Sequence, residues 1–132
     1  MRKVAIIIDP TLPTGLLANA VACITSGLFL DGKEYVGQEI KGTDVTYIPI
    51  TKIPILILKP GSTTLLDHLR KAQKLGLTYM AFTKEAQTTT NYEEYTQRVK
   101  GKNLNEVTLV GLGLVGDDKT ISSLTGNLPM LR

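Results

Sequence analysis

Apolar and polar positions alternate between two periods along this chain. Val4 to Ile8 is an unbroken apolar run, rich in β-branched residues and closed by Asp9-Pro10. That pattern suits a strand covered on both faces. Pro10 and Pro13 stiffen the following turn, and Thr14-Gly15 opens a helix with Thr14 as the expected N-cap. Leu16, Leu17, Ala20, Val21, Ile24 and Leu28 then recur at helical spacing.

Asp31-Gly32-Lys33 reads as a turn. From Glu34 to Thr51 the text is short, mixed and polar, which predicts a loop with a hairpin around Lys41-Gly42-Thr43-Asp44. Ile55 to Lys59 is a second strand, ended by Pro60-Gly61. Ser62 is the expected cap of a helix running to Leu75, with Gly76 as its C′ glycine. Leu65, Leu66, Leu69, Ala72 and Leu75 form its stripe, with Arg70, Lys71 and Lys74 outside it. Leu77 to Phe82 is a third strand, and Thr83 to Thr90 a polar loop. Asn91 opens a short helix, with Glu94 completing a variant capping box, and the helix ends near Lys100-Gly101. Glu106 to Val115 is a fourth strand, Asp117 caps a last helix to Leu124, and the apolar tail packs back on the domain. Strands alternating with helices give the α/β class.

Composition narrows the function classes. A chain of 132 residues with 42% apolar content makes one domain with a real core, and scarce aromatics make that core aliphatic. One cysteine, Cys23, excludes an internal disulfide and fits a reducing, cytoplasmic setting. The first apolar run is shorter than a signal h-region of roughly 7–15 residues. No run reaches the roughly 20 residues of a membrane span, so no membrane contact is expected. A net charge of +3 is a mild excess, and a soluble surface explains it better than a nucleic-acid face.

Few motifs carry chemistry. Gly111 to Gly116 matches G-x-G-x-x-G, but too few residues follow to hold the acidic group expected about 20 positions on. Glycines where the backbone is crowded are the better explanation. Asp9 ends an apolar strand and belongs at the carboxyl edge of the sheet, where open α/β sheets bind ligands. It is either a base or ligand contact, or an acceptor for its own turn's N–H groups. Asn19 sits at the edge of its helix stripe, tied to the Asp9 turn or pointing into a pocket. The Thr83 to Thr90 loop, with Lys84, Gln87 and Thr88, lines a polar site or is a solvated connector. Cys23 reads as a small core residue and His68 as a boundary residue. One Cys and one His assemble no zinc set, and no P-loop is present, so no metal or cofactor is expected.

DPTLPTGLLANA, IPILILK, FTKEAQTTTNYEEY and LTGNLPMLR resemble the uncharacterised bacterial family catalogued as domain of unknown function 2000. That resemblance implies the fold of the archaeal- and eukaryotic-type peptidyl-tRNA hydrolases: a three-layer α/β/α domain with a four-stranded mixed sheet, commonly a homodimer. The hydrolase pattern S-K-G-K-x-A-A-Q-x-x-H falls on Pro13 to Cys23. Gly15 and Ala18 agree, while Leu16, Ala20 and Cys23 stand where the lysine, glutamine and histidine belong. In the loop, D-A-G-x-T falls on Lys84 to Thr88 and only Thr88 agrees. The C-terminal T-G-x-L is kept at Thr125, Gly126 and Leu128. Scaffold signals persist and catalytic ones do not.

The expected function is therefore binding of a small molecule or nucleotide in a pocket at the end of the first strand. Asp9, Gly15, Asn19, Lys84, Gln87 and Thr88 are its candidate contacts. The alternatives are a hydrolase that uses Asp9 with Lys84 in a rearranged site, and a protein that binds tRNA or another RNA through Arg70, Lys71 and Lys74.

Overall fold

The computed structural model describes every residue, Met1–Arg132. Six strands and five α-helices follow in the order β1 (Arg2–Ile8), α1 (Thr14–Leu28), β2 (Ile40–Lys41), β3 (Thr46–Tyr47), β4 (Ile55–Leu58), α2 (Leu65–Lys74), β5 (Thr78–Thr83), α3 (Lys84–Gln87), α4 (Tyr92–Val99), β6 (Leu109–Asp117) and α5 (Asp118–Thr125). Four strands form one mixed sheet of order β4-β1-β6-β5, and β2 pairs with β3 as the expected hairpin. β4 is parallel to β1, while β6 is antiparallel to both β1 and β5. The carboxyl ends of β1, β4 and β5 therefore lie along one edge.

Alternation along β1 sorts the core into two layers. Val4, Ile6 and Ile8 face Ala20, Ile24 and Leu28 of α1. Ala5 and Ile7 face Leu69 and Ala72 of α2 and Ile121 and Leu124 of α5. Helices thus cover both faces, and complete burial of β1 from Val4 to Ile8 explains its unbroken apolar run. Each such Ile or Leu contributes about 1.5–3 kcal/mol on leaving water. No helix is long and apolar enough to cross a membrane.

The glycines of β6 set how closely α1 approaches. A Cβ on Gly113 would stand 2.3 Å from Ile24 Cγ2, and one on Gly111 2.8 Å from Ile24 Cδ1. These positions mark crowded backbone, as their pattern implied. The tail also docks as expected. Lys59 N donates to Pro129 O at 2.9 Å and Leu131 N to Ile57 O at 3.0 Å, so the tail covers the outer edge of β4.

Local details depart from the sequence expectations. α1 begins at Thr14 itself, with Pro13 at the N-cap and no side-chain cap. Its first turn overhangs the sheet, leaving Leu16 44% exposed. The cap of α2 is Thr64 rather than Ser62; its hydroxyl accepts from Asp67 N at 3.1 Å. The residues before it are spent on a turn in which Gly61 has φ +71°. At the other end Gly76 has φ +68°, Gly76 N donates to Gln73 O and Leu77 N to Ala72 O, closing a Schellman motif. Leu75, expected in the buried stripe, is half exposed, and His68, expected at its boundary, is buried. His68 Nε2 lies 2.8 Å from Pro60 O, so the ring joins α2 to the turn after β4. The Glu106 to Val115 strand is shifted: a 3-10 turn spans Leu104–Glu106 and the strand starts at Leu109.

Candidate functional site

The polar segment after β5 is not a plain loop. Thr83 Oγ1 accepts from Ala86 N and caps the short helix α3. Asn91 then caps α4, its Oδ1 accepting from Glu94 N at 2.8 Å. The expected capping box does not close, because the Glu94 carboxylate takes Thr90 N and Thr90 Oγ1 instead. Arg98 completes the cluster, donating to Glu94 Oε1 at 2.8 Å and to Thr88 Oγ1 at 3.2 Å. The Thr90 backbone N–H, and next its hydroxyl and Arg98, hold the Glu94 carboxyl below its usual range.

A cleft of about 560 Å³ lies between the α3–α4 segment and α1. Met80 and Phe82, alternate residues on the α1 side of β5, line it. One wall is Asn19, Cys23 and Ser26, which share a helix face at i, i+4 and i+7. The other wall runs from Ala86 through Asn91 to Tyr92 and Tyr95. Gln87 crosses between the walls, its Nε2 donating to Leu16 O at 2.8 Å. The tyrosine rings meet edge to face at 5.6 Å. Burial, then Tyr92, raises the Tyr95 phenol above its usual range and keeps it a neutral hydrogen-bond donor.

No Asp, Glu, Lys or Arg lines this cleft. Several of its polar groups are already engaged: Ser26 Oγ donates to Cys23 O and Thr89 Oγ1 to Ala86 O. Cys23 Sγ lies 3.9 Å from Asn19 Oδ1, a weak contact. The amide nitrogens of Asn19 and Asn91 and the amide oxygen of Gln87 make no hydrogen bond within the protein. No group of three or more His, Cys, Asp or Glu side chains is arranged to hold a metal ion.

The six residues expected to share one pocket are divided. Asn19 and Gln87 line the cleft. Asp9 lines a shallower depression beside Pro60, Thr64 and Leu65, near the start of α2. Its Oδ1 accepts from Thr11 N at 2.9 Å and from Thr11 Oγ1 at 2.7 Å, so one oxygen serves its own turn. Asn19 makes no bond to that turn. Lys84 lies at the same edge of the sheet as Asp9: Asp9 N donates to Val110 O and Lys84 N to Thr108 O, on either side of the start of β6. Lys84 is in neither of the two ion pairs, Lys3–Asp118 and Glu94–Arg98. Thr88 is committed to Arg98 and to Lys84 O, and Gly15 stands exposed in the first turn of α1.

Sequence reasoning missed that Cys23, half-buried against the core, also lines the cleft, and it missed Met80, Phe82, Tyr92 and Tyr95. One signal was available for Cys23. Asn19, Cys23 and Ser26 make a narrow polar stripe on a helix that is otherwise apolar at the sheet.

A search of curated proteins returned no match. Among solved structures, a protein of unknown function from Agrobacterium tumefaciens strain C58 superposes with a TM-score of 0.84. It is 19% identical, and the match covers 98% of this chain and 96% of that one, so the two share the fold. The family described as Protein of unknown function (DUF2000) matches residues 2–132. With four mixed strands, helices on both faces and a match over nearly its whole length, the chain belongs to the DUF2000 family.

Proposed function

We propose that this protein binds a small, uncharged polar molecule, or the nucleoside part of a nucleotide, in the cleft between α1 and the α3–α4 segment. The observation that carries the reading is the lining: amides, hydroxyls and aromatic rings, with no charged side chain. Desolvating such walls is cheap compared with desolvating ions, and each amide left unpaired inside a ligand-filled cleft costs about 1–3 kcal/mol. A ligand with acceptors for Asn19 and Asn91, a donor for Gln87 and a flat face for Phe82 and Tyr92 satisfies these groups together. A volume near 560 Å³ is in the range of small-molecule sites, about 300–1,000 Å³. The reading keeps the kinship with the peptidyl-tRNA hydrolase scaffold implied by the retained Thr125, Gly126 and Leu128, and a cytoplasmic setting. Mass spectrometry of small molecules released from the denatured wild type tests it. Asn19→Leu, which fills the cleft from an exposed helix position, is expected to lose the released compound. Retention at wild-type stoichiometry contradicts the reading.

A second reading is a hydrolase with Asp9 as base and Lys84 as electrostatic partner. Their shared place at one edge of the sheet favours it. Release of peptide from peptidyl-tRNA, absent in Asp9→Ala and in Lys84→Gln, is its test. No turnover by wild type at high enzyme concentration dismisses that activity.

A further inference from the structure

The opposite face of β5 carries a second cavity of about 480 Å³, separate from the cleft. Ala81 and Thr83, the residues of β5 that point away from α1, line it together with Leu104, Val107 and Leu109. Arg70 from α2 and Lys102 from the turn after α4 complete the wall, beside Asn103 and Asn105. No acidic residue is among its lining residues. Both ion pairs of the chain lie elsewhere, so neither Arg70 nor Lys102 has a carboxylate partner. Two cations without a carboxylate partner beside an apolar wall form an amphiphilic surface.

We propose that this cavity is a binding site for a small organic monoanion or dianion with an apolar body, its acidic head at Arg70 and Lys102 and its body on Leu104, Val107 and Leu109. Guanidinium and ammonium suit a carboxylate or phosphate oxygen, and the Asn105 side chain adds a polar contact beside the head, whereas Asn103 Oδ1 already accepts from Asn105 N. The neutral Tyr95 phenol, which lines this cavity as well as the cleft, supplies a further donor. The proposal does not depend on the ligand of the cleft, which lies on the other side of the sheet.

The test is a titration of isotopically labelled protein with phenyl phosphate, followed by amide chemical shifts. Saturable shifts are expected at residues 102–105 and around Arg70, with little change at Asn19 or Gln87. Arg70→Gln combined with Lys102→Gln, both exposed positions, is expected to weaken binding at least about tenfold with an unchanged melting temperature. Lys71→Gln combined with Lys74→Gln removes the same charge outside the cavity and is expected to leave binding unchanged. Inorganic phosphate and benzyl alcohol, each carrying half of the proposed recognition, are expected to bind at least about tenfold more weakly than phenyl phosphate. The proposal is overturned by an absence of saturable shifts, or by equal binding in the Arg70/Lys102 variant. It is also overturned if inorganic phosphate binds as tightly as phenyl phosphate, or if an oligouridylate binds while phenyl phosphate does not. The last result would assign this face to RNA.

Discussion

At the scale of single residues, two glycines separate the cost of crowding from the cost of flexibility. Gly113 lies under α1 with Ile24 Cγ2 at 2.3 Å and Leu28 Cδ1 at 2.7 Å from a built Cβ. Gly113→Ala is therefore expected to lower stability by about 1–3 kcal/mol, read as a lower denaturant midpoint at constant slope. Gly15 has nothing within 4 Å of a built Cβ and sits in a helix. Gly15→Ala is expected to be neutral or to stabilise by up to about 1 kcal/mol, with ligand binding in the cleft unchanged. A third residue bears on pH. Glu94 is held below its usual range of about 4.5 by Thr90 and Arg98. A depressed carboxyl adds stability above its unfolded value, and that contribution is lost as pH falls through the folded value. Glu94→Gln is thus expected to lower the melting temperature at neutral pH and to converge on the wild type as pH falls through the folded value, so that the acid limb is flatter. The crowding of β6 was legible, because a glycine pattern filled with Leu and Val excluded the dinucleotide reading. The burial of His68 was not, since helical spacing alone does not reveal the turn at Pro60 that receives its ring.

At the scale of elements, the long periodic segments were readable and the short ones were not. α1, α2 and all four strands of the main sheet carry enough apolar repeats to declare themselves. α3 has four residues and no stripe, and it exists because Thr83 caps it, so the segment read as a loop. The choice of cap in α2 has a direct check. Thr64→Ala is expected to cost about 0.5–2 kcal/mol, while Ser62→Ala is expected to cost little, both by thermal or denaturant unfolding. The separation of Asp9 from Asn19 was likewise not legible. Asp9 and Asn19 lie on adjoining elements in sequence, but Asn19 lines the cleft with Met80 and Phe82 of β5, whereas Asp9 lines the depression beside Thr64.

At the scale of the whole molecule, the sheet order places two recesses on opposite sides of β5, with Tyr95 lining both. One is neutral and amide-rich, and the other is basic over an apolar wall. The β2–β3 hairpin projects from this body and leaves Ile48 and Ile50 more than three-quarters exposed. We propose this exposed apolar stretch as the seam of the homodimer that the hydrolase resemblance implies. Ile48→Asp with Ile50→Asp is expected to shift sedimentation toward the monomer, and a wild type that is already monomeric contradicts that assignment.

We propose the cleft between α1 and the α3–α4 segment as the place where this protein meets its ligand. The most direct measurement is a screen of neutral polar fragments against the isotopically labelled protein, read as amide shifts residue by residue. The account predicts that the strongest hits cluster on Asn19, Cys23, Gly27 and residues 87–91, and that Asn19→Leu abolishes them while melting as the wild type does. Hits that gather around Asp9 and Thr64, or that survive unchanged in Asn19→Leu, would contradict it.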